Sequence, residues 1–203
     1  MSKTWETKQK IADVALALFK TNGYEAVSVR EICDAAGVAR SSFYNLFSKK
    51  SDIILFVLES IRSTFPSRIP NFIDAESDLE RIWFLMKAIL DDVLSFGPEL
   101  VKVIIQLEMT EHCGFFQYGS AFNDWMIRLL ANCQKNGIAR NQQNPSLLVP
   151  ILVRAASADL LIWVCKDGNY PILEILHSQI GTILDVVPEY RHQLCDVITE
   201  NRV

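Results

Sequence analysis

Glycine and proline are scarce in this chain of 203 residues, which has eight of the first and seven of the second. That scarcity excludes collagenous and low-complexity chains. The sequence also lacks an uncharged apolar run of the roughly 18 residues that a membrane span requires, since its most apolar stretch, 147–164, carries Arg154 and Asp159. The N-terminal residues are polar and no small-residue cleavage site follows them, which argues against a secretory signal. We therefore expect a cytoplasmic protein without a membrane partner.

Motifs of covalent, metal and cofactor chemistry are missing as well. The five cysteines are an odd number without a CxxC pair, so we expect buried thiols in a reducing compartment and no disulfide framework. The sequence has no nucleophile elbow, P-loop, dinucleotide fingerprint or HExxH. Glu108 and His112 have a spacing that could hold a metal or a polar ligand group, whereas His177 and His192 have no cysteine or acid at ligand spacing. We predict no enzyme activity, no metal site and no cofactor.

Half of the residues are hydrophobic, which is enough for a packed core. The 20 Lys+Arg and 24 Asp+Glu residues give a net charge of −4, and an acidic balance argues at first against a nucleic-acid partner. The charges are unevenly distributed, however. Residues 1–60 hold 8 basic and 7 acidic side chains, residues 61–203 hold 12 and 17, and the stretch 38–50 has a balance of +3 with no acid. The net charge therefore describes the C-terminal part and leaves DNA open as a partner.

Apolar residues recur at helical spacing nearly throughout, and no alternating strand pattern is found. The fold class is therefore predicted to be all-α, with about nine or ten helices. Two capping boxes, Ser28 to Glu31 and Ser77 to Glu80, predict helix starts, while Pro66 and Pro70 mark a break in composition. The predicted helices cover residues 4–22, 28–36, 39–47, 49–64, 78–95, 98–112, 120–136, 145–166, 171–187 and 188–200.

The second and third predicted helices meet at Gly37 with about two residues between them. So tight a turn is typical of a helix-turn-helix, here residues 28–47. At about 100° per residue, the third helix has an apolar side and a polar side that offers base- and phosphate-binding groups. An ordinary solvated helix face is the alternative interpretation. The apolar side contains Phe43, Leu46 and Phe47, and the polar side contains Arg40, Ser41, Tyr44, Asn45 and Ser48.

The stretch LFKTNGYEAVSVREICDAAGVARSSFYNLFSKKSDI resembles the N-terminal domain of TetR-type transcriptional regulators. The resemblance implies a three-helix helix-turn-helix DNA-binding domain, residues 1–50, followed by a larger helical ligand-binding and dimerisation domain, residues 51–203. Leu46 stands where the family often has His, and Lys49 stands where a small residue is common. The matching features are Leu18-Phe19, Gly23-Tyr24, Ser28-Val29, Ile32, Ala36-Gly37-Val38, Phe43-Tyr44, Phe47 and Lys50.

The resemblance also implies roles for individual residues in DNA binding. Ser28 and Lys50 would contact phosphates at the starts of the second and fourth helices, and Arg40 would fork onto a guanine. Lys49 adds a further basic charge, and Lys8 and Lys10 of the first helix are additional candidates. Ser41 and Asn45 would face bases together with Arg40, while Ser42 and Tyr44 would bind sugar and phosphate.

The resemblance further implies that the C-terminal part binds a small molecule and dimerises. Residues 147–164 are apolar on more than one face, so the helix needs partners on several sides, although a plain core helix is the alternative. Candidate pocket residues are Trp83, Met86, Met109, His112, Phe116, Phe122, Trp125 and Met126, with Phe96 and Phe115 less favoured. Candidate dimer-interface residues are Leu148, Leu152, Ala156, Leu160, Trp163, Ile180 and Gly181.

Taken together, these features predict a sequence-specific transcriptional regulator, a ligand-released repressor that binds a palindromic operator as a homodimer. The predicted partners are double-stranded DNA, a small-molecule effector and a second copy of the chain. A helical interaction or scaffolding module that binds another protein is the alternative function. Salt dependence discriminates the two, because phosphate contacts predict a steep negative slope of log affinity against log salt.

Overall fold

The computed structural model describes residues 3–68, 75, 77–112, 114–116 and 119–194, with the side chains of 64–68 excepted. Within these ranges every long element is helical, and β-type pairing is limited to one isolated bridge between Ala139 and Val186. The predicted all-α class is therefore confirmed. The helices are α1 (Lys3–Asn22), α2 (Val29–Ala36), α3 (Arg40–Leu46), α4 (Ser51–Arg68), α5 (Asp78–Leu94), α6 (Pro98–Glu111), α7 (Ser120–Lys135), α8 (Pro145–Cys165) and α9 (Ile172–Ile183), followed by a 3₁₀-helix (Pro188–Leu194).

Helix α4 begins at Ser51, two residues later than the sequence predicted. The carboxylate of Asp52 accepts hydrogen bonds from the backbone N–H groups of Ser48 and Lys49, at 2.7 and 3.1 Å. These bonds satisfy amides of the preceding turn from inside the helix, in the way an acidic residue stabilises a helix N-terminus. The loop between α3 and α4 therefore has its own hydrogen-bonded structure.

Helix α9 ends at Ile183, four residues earlier than predicted, and the next two carbonyls accept hydrogen bonds from another segment. The N–H groups of Arg140 and Asn141 donate to the carbonyls of Asp185 and Leu184, both at 3.1 Å. Asp185 adopts a left-handed backbone conformation, φ 47°, which ends the helix. The last predicted helix, 188–200, is a 3₁₀-helix as far as Leu194, and its remaining residues lie outside the described part.

The chain divides into two compact units. The first contains residues 1–64 and 93–117, and the second contains residues 65–92 and 118–203. In the first unit α1 packs on α2 and α2 on α3. Its core consists of fully or nearly fully buried apolar side chains, which include Ile11, Ala12, Ala15, Phe19, Ile32, Ala36, Phe43, Phe47, Ile53 and Ile54.

In the second unit α8 packs against both α7 and α9. A buried carboxylate joins two of these elements, because Asp159 of α8 accepts hydrogen bonds from the Tyr170 hydroxyl, at 2.7 Å, and from the side-chain amide of Gln179 on α9. A buried charge is tolerated only with such partners, so this network helps to hold the α8–α9 pair in register.

Helix α8 is, within the described ranges, the one helix long and apolar enough to cross a membrane by length and composition alone. A third of its most apolar window is buried inside the protein. Core helices of soluble proteins have the same length and composition, and Asp159 makes its hydrogen bonds within the second unit. The apolar character of α8 is thus in part that of a packed core helix.

Three of the five cysteines lie in the described part, and all three are free thiols. Cys33 and Cys133 are buried, as expected, and burial raises the pKa of Cys133 to about 12, so it stays a protonated thiol. Cys165, at the end of α8, is exposed, and for this residue the prediction of a buried thiol is wrong. Cys113 and Cys195 lie outside the described residues.

Candidate nucleic-acid interface

The start of α2 is built by the capping box that the sequence predicted. The Ser28 hydroxyl accepts from the Glu31 N–H at 3.2 Å, and the Glu31 carboxylate accepts from both the N–H and the hydroxyl of Ser28, at 2.7 Å each. These hydrogen bonds lower the pKa of Glu31 below its ordinary value. Ser28 is exposed, so a phosphate that approached its hydroxyl would compete with the Glu31 carboxylate for the same proton.

The turn between α2 and α3 depends on Gly37. Its backbone is left-handed, φ 64°, and its N–H donates to the carbonyl of Asp34, while the next N–H, from Val38, donates to that of Cys33. A glycine adopts this conformation without the steric cost that a Cβ imposes. Only three residues thereby separate the end of α2 from the start of α3 at Arg40, which is the tight connection a helix-turn-helix requires.

Two phenylalanines fix the rotation of α3. Phe43 is completely buried and Phe47 nearly so, and their ring centroids lie 5.7 Å apart. Phe47 also meets Phe56 of α4, with centroids 5.8 Å apart. With this side of the helix held in the core, its opposite side must face solvent.

The exposed side of α3 carries the residues that the sequence assigned to DNA. Tyr44 is 54% exposed, with its ring edge-on to Phe43 at 5.4 Å between centroids. The side presents a guanidinium, hydroxyls, an amide and a phenol, the groups that hydrogen-bond to base edges and backbone oxygens. The structure therefore brings together on one exposed face Arg40, Ser41, Ser42, Tyr44 and Asn45.

Lys50 lies beside this face but is half-buried, with its ammonium engaged within the protein. It donates to the carbonyls of Tyr24 and Val27, at 2.6 and 3.0 Å, and lies 4.1 Å from the centre of the Tyr24 ring. The carbonyls belong to the segment that leads into α2, so Lys50 ties the start of α4 to the start of the helix-turn-helix. The predicted phosphate contact of Lys50 stays a prediction, and its structural contacts could not be read from the sequence.

Lys49 is exposed and forms an ion pair with Glu111 at the end of α6, 2.6 Å between Nζ and Oε1. Glu111 is also one of three carboxylates that raise the pKa of Tyr24 to about 12, together with Glu25 and Asp52, although burial is the largest cause. The Tyr24 hydroxyl thus stays protonated, and acidic groups lie near the basic loop that follows α3.

Lys8 and Lys10 of α1 lie near the same domain core. The Lys8 ammonium is 5.4 Å from the ring centre of Phe47 and 5.8 Å from that of Phe56, a cation–π arrangement. The Lys10 Nζ lies 3.9 Å from the position that a Cβ on Gly37 would occupy. Lys10 is therefore the residue of this pair that lies beside the turn between α2 and α3.

The predicted pocket residues do not share one environment. Trp83 and Met126 are completely buried, whereas Met109 is 76% exposed and Trp125 36%. His112 ends α6 in a left-handed conformation and is exposed. Phe116 is half-buried, and Met86 and Phe122 are buried. Burial alone therefore favours four members of this set, all in the second unit, as lining of an internal site: Trp83, Met86, Phe122 and Met126.

Most of the predicted interface residues lie in the core of the protomer. Leu148, Leu152, Leu160 and Trp163 are 1 to 8% exposed and Ile180 is completely buried, while Ala156 and Gly181 are half-buried. The position that a Cβ on Gly181 would occupy is 4.0 Å from a methyl group of Leu194, so this glycine has a neighbour within its own chain.

Helix α8 has another face, which the sequence analysis did not single out. Apart from Ser146 in the first turn, its exposed residues lie within about 100° of one another on the helical wheel. A wheel with Asp159 assigned to the interior would have found this face, because a carboxylate with local partners marks the buried side. The residues of this exposed stripe are Leu147, Ile151, Arg154, Ala158, Leu161, Ile162 and Cys165.

Comparison with known proteins matches the first helices to a family. The model of bacterial regulatory proteins of the tetR family covers residues 11–56. The HTH-type transcriptional regulator SAB2452 of Staphylococcus aureus is 31% identical over 91 residues, which are 45% of this chain and 48% of that protein. The HTH-type transcriptional repressor KstR2 of Mycobacterium tuberculosis is 23% identical over 146 residues, 71% of this chain and 73% of that protein. The matched region thus spans about half the length of the staphylococcal relative.

Among solved structures, the FadR repressor of Thermus thermophilus in complex with lauroyl-CoA has a TM-score of 0.64 and 17% identity, covering 87% of this chain and 93% of that one. At this identity the likeness establishes the fold, with helices that extend well beyond the family match. The matched residues 11–56 include the capping box, the Gly37 turn and the exposed side of α3. The N-terminal part of the chain is thus similar to the tetR family of bacterial regulatory proteins.

Proposed function

We propose that the protein is a sequence-specific DNA-binding transcriptional regulator. The observation that carries the proposal is the exposed side of α3, which offers Arg40, Tyr44 and Asn45 together, with no acidic residue between positions 38 and 50. The Arg40 guanidinium can form bidentate hydrogen bonds with guanine, and the Asn45 amide can do so with adenine. Ser42 and Tyr44 bind the sugar-phosphate backbone of the DNA. The base contacts therefore determine the sequence that is recognised, and the phosphate contacts set the position of the protein on the duplex. Neighbouring basic residues supply the charge for non-specific attraction.

The regulator acts as a homodimer whose two α3 helices enter successive major grooves, about one helical turn apart. The exposed stripe of α8 supports this assembly. It places Leu147, Leu161 and Ile162 in solvent, 61%, 43% and 40% exposed, with Arg154 as its only charged residue. Apolar stripes of this kind are covered by a partner in stable oligomers, and a two-fold axis requires the operator to be nearly palindromic.

The same proposal includes a small-molecule effector that releases DNA, which makes the protein a cytoplasmic repressor. Support comes from the relatives, since KstR2 is named as a repressor and the FadR structure holds lauroyl-CoA. In this chain Trp83 is completely buried, and its Nε1–H has no hydrogen-bond partner among the described atoms. An effector oxygen is a suitable acceptor for such a donor. By linkage, an effector that weakens DNA binding binds less tightly to the DNA-bound form.

The experiment that tests DNA binding is selection of duplexes from a random pool by the full chain, followed by affinity measurements at several salt concentrations. The expected result is a near-palindromic site with half-sites about 10 base pairs apart and a steep negative salt slope. Failure to enrich any site, or a flat slope, contradicts the proposal and favours a protein-interaction module. The regulator requires no enzymatic step, so no turnover is expected.

A further inference from the structure

A carboxylate of α6 lies against the loop that follows α3. The ammonium of Lys49 is 2.6 Å from Oε1 of Glu111, the last residue of α6. We propose that Glu111 pairs with Lys49 in place of an operator phosphate, and so limits how many phosphates the DNA-binding surface contacts. The inference rests on the proposed DNA binding and adds to it a residue, far along the chain, that tunes operator affinity.

Lys49 is three positions beyond Leu46, the end of α3, and its side chain is 54% exposed while that of Glu111 is 28% exposed. An ion pair this open to water is weak and can exchange partners. A phosphate is chemically equivalent to the carboxylate for an ammonium, since both are anions that accept charge-assisted hydrogen bonds. The Lys49 ammonium can therefore pair with the Glu111 carboxylate or with a phosphate, but it cannot give its full charge to both.

In the loop between α3 and α4, the Lys49 side chain is the group that can change its partner, because the neighbouring groups are held by hydrogen bonds. The neighbouring Lys50 donates to two backbone carbonyls of the segment before α2. The N–H groups of Ser48 and Lys49 both donate to Asp52. With the backbone held in this way, an exchange at Lys49 requires only a side-chain rotation.

Glu111 is the last residue of α6, and the end of this helix has hydrogen bonds of its own. His112 caps the helix in a left-handed conformation and its N–H donates to the carbonyl of Glu108 at 3.1 Å. The Glu108 carboxylate then accepts from the N–H of Phe115 at 2.9 Å. Glu111 is thus a positioning residue that acts through Lys49.

The test measures the affinity of the full chain for its selected duplex as a function of salt, with Glu111→Gln as the principal variant. Freeing one lysine for one phosphate steepens the slope of log affinity on log salt by about 0.9, and tightens binding roughly five- to tenfold at about 0.1 M salt. Glu99→Gln is the matched control, because it removes the same charge from the exposed first turn of the same helix. The gain should vanish when Lys49→Gln is combined with Glu111→Gln.

The inference is overturned if Glu111→Gln changes the slope no more than Glu99→Gln does, or if the gain persists without Lys49. Should Glu111→Gln fail to fold, the Lys49→Gln variant alone tests the proposal. If its slope of log affinity on log salt equals that of the wild type, the proposal is supported, because Lys49 is already paired with Glu111 in the wild-type protein. If its slope is shallower by about 0.9, the proposal is contradicted. These outcomes overturn only the role of Glu111, whereas a wild-type chain that binds no duplex overturns the DNA-binding function as well.

Discussion

Helices α3 and α8 both expose a continuous face, and the two faces differ in chemistry. The exposed side of α3 is polar from end to end, with Arg40, Tyr44 and Asn45 in solvent. The exposed stripe of α8 is mostly apolar, with Leu147 61% exposed and Leu161 43% exposed. Each helix is held by an apolar inner face, so the difference lies entirely in what the outer face offers a partner.

This contrast separates two modes of recognition within one chain. A polar face without acids suits a hydrated polyanion that is read through hydrogen bonds, whereas an apolar stripe is stabilised by removal from water. A second copy of the same stripe is the simplest partner for the latter, because a two-fold axis makes an apolar patch complementary to itself. In the proposed regulator the two modes are coupled, since dimerisation would bring two recognition helices to one operator.

The largest effect is expected from a charge placed in the apolar stripe. Leu161→Arg puts a second guanidinium on the face that holds Arg154, and burial of an unpaired charge in the dimer costs about 3–5 kcal/mol. The dimer should dissociate more than about 100-fold more readily, and operator affinity should fall with it. Sedimentation velocity over a concentration series measures the first effect and titration of the duplex the second.

Met109→Arg is the control for that substitution, because Met109 of α6 is 76% exposed and lies outside the stripe. It should leave both measurements unchanged. A Leu161→Arg protein that remained dimeric at sub-micromolar concentration would show that α8 does not form the interface.

A smaller effect is expected on the polar face. Arg40→Ala removes the proposed fork onto a guanine and should cost about 1–3 kcal/mol of operator binding, with loss of base preference at one position of each half-site. Arg128→Ala, on the exposed side of α7, removes the same charge elsewhere and should not alter preference. Repeating the duplex selection with each variant distinguishes them, and an unchanged preference in Arg40→Ala would mean that α3 is rotated differently on DNA.

The sequence predicted the local features of the first face well because the signals lie within a few residues. The Ser28–Glu31 box, the left-handed Gly37 and the buried Phe43 each depend on neighbours in the chain. The family resemblance then supplied the fold of the whole, which is confirmed.

The second face could not be assigned in the same way. An α8 that is apolar nearly all round has no polar side to orient it, so the sequence predicts interface residues, such as Leu148, that are buried within the chain. Long-range partners were equally beyond reach, since Lys49 meets Glu111 from 62 positions away and Lys50 meets Tyr24 from 26. Such pairs are set by tertiary packing, and a single sequence does not contain them.

Lys50 allows a test of how far structural and DNA-binding roles overlap beside α3. Lys50→Met keeps the aliphatic stem but leaves the carbonyls of Tyr24 and Val27 without their charged donor. We expect a loss of about 1–2 kcal/mol in the free energy of unfolding, measured by urea denaturation, together with weaker binding to all duplexes alike. Lys102→Met, at an exposed position of α6, is the control. Unchanged stability with uniformly weaker binding would assign Lys50 to phosphate alone.

The smallest effect is expected at the cap of α2, the first helix of the helix-turn-helix. Ser28→Ala removes the hydroxyl that binds both the N–H and the carboxylate of Glu31, and loss of such a cap should lower the melting temperature by about 2–4 °C at neutral pH. Because Glu31 has a lowered pKa in the folded state, its contribution is present above its ordinary pKa and is lost as the pH falls through the lowered value. The difference between wild type and variant should therefore shrink on acidification. Ser120→Ala at the first position of α7 should show neither the loss nor its pH dependence, and a difference that stayed constant down to acid pH would exclude the Glu31 carboxylate from the stabilisation.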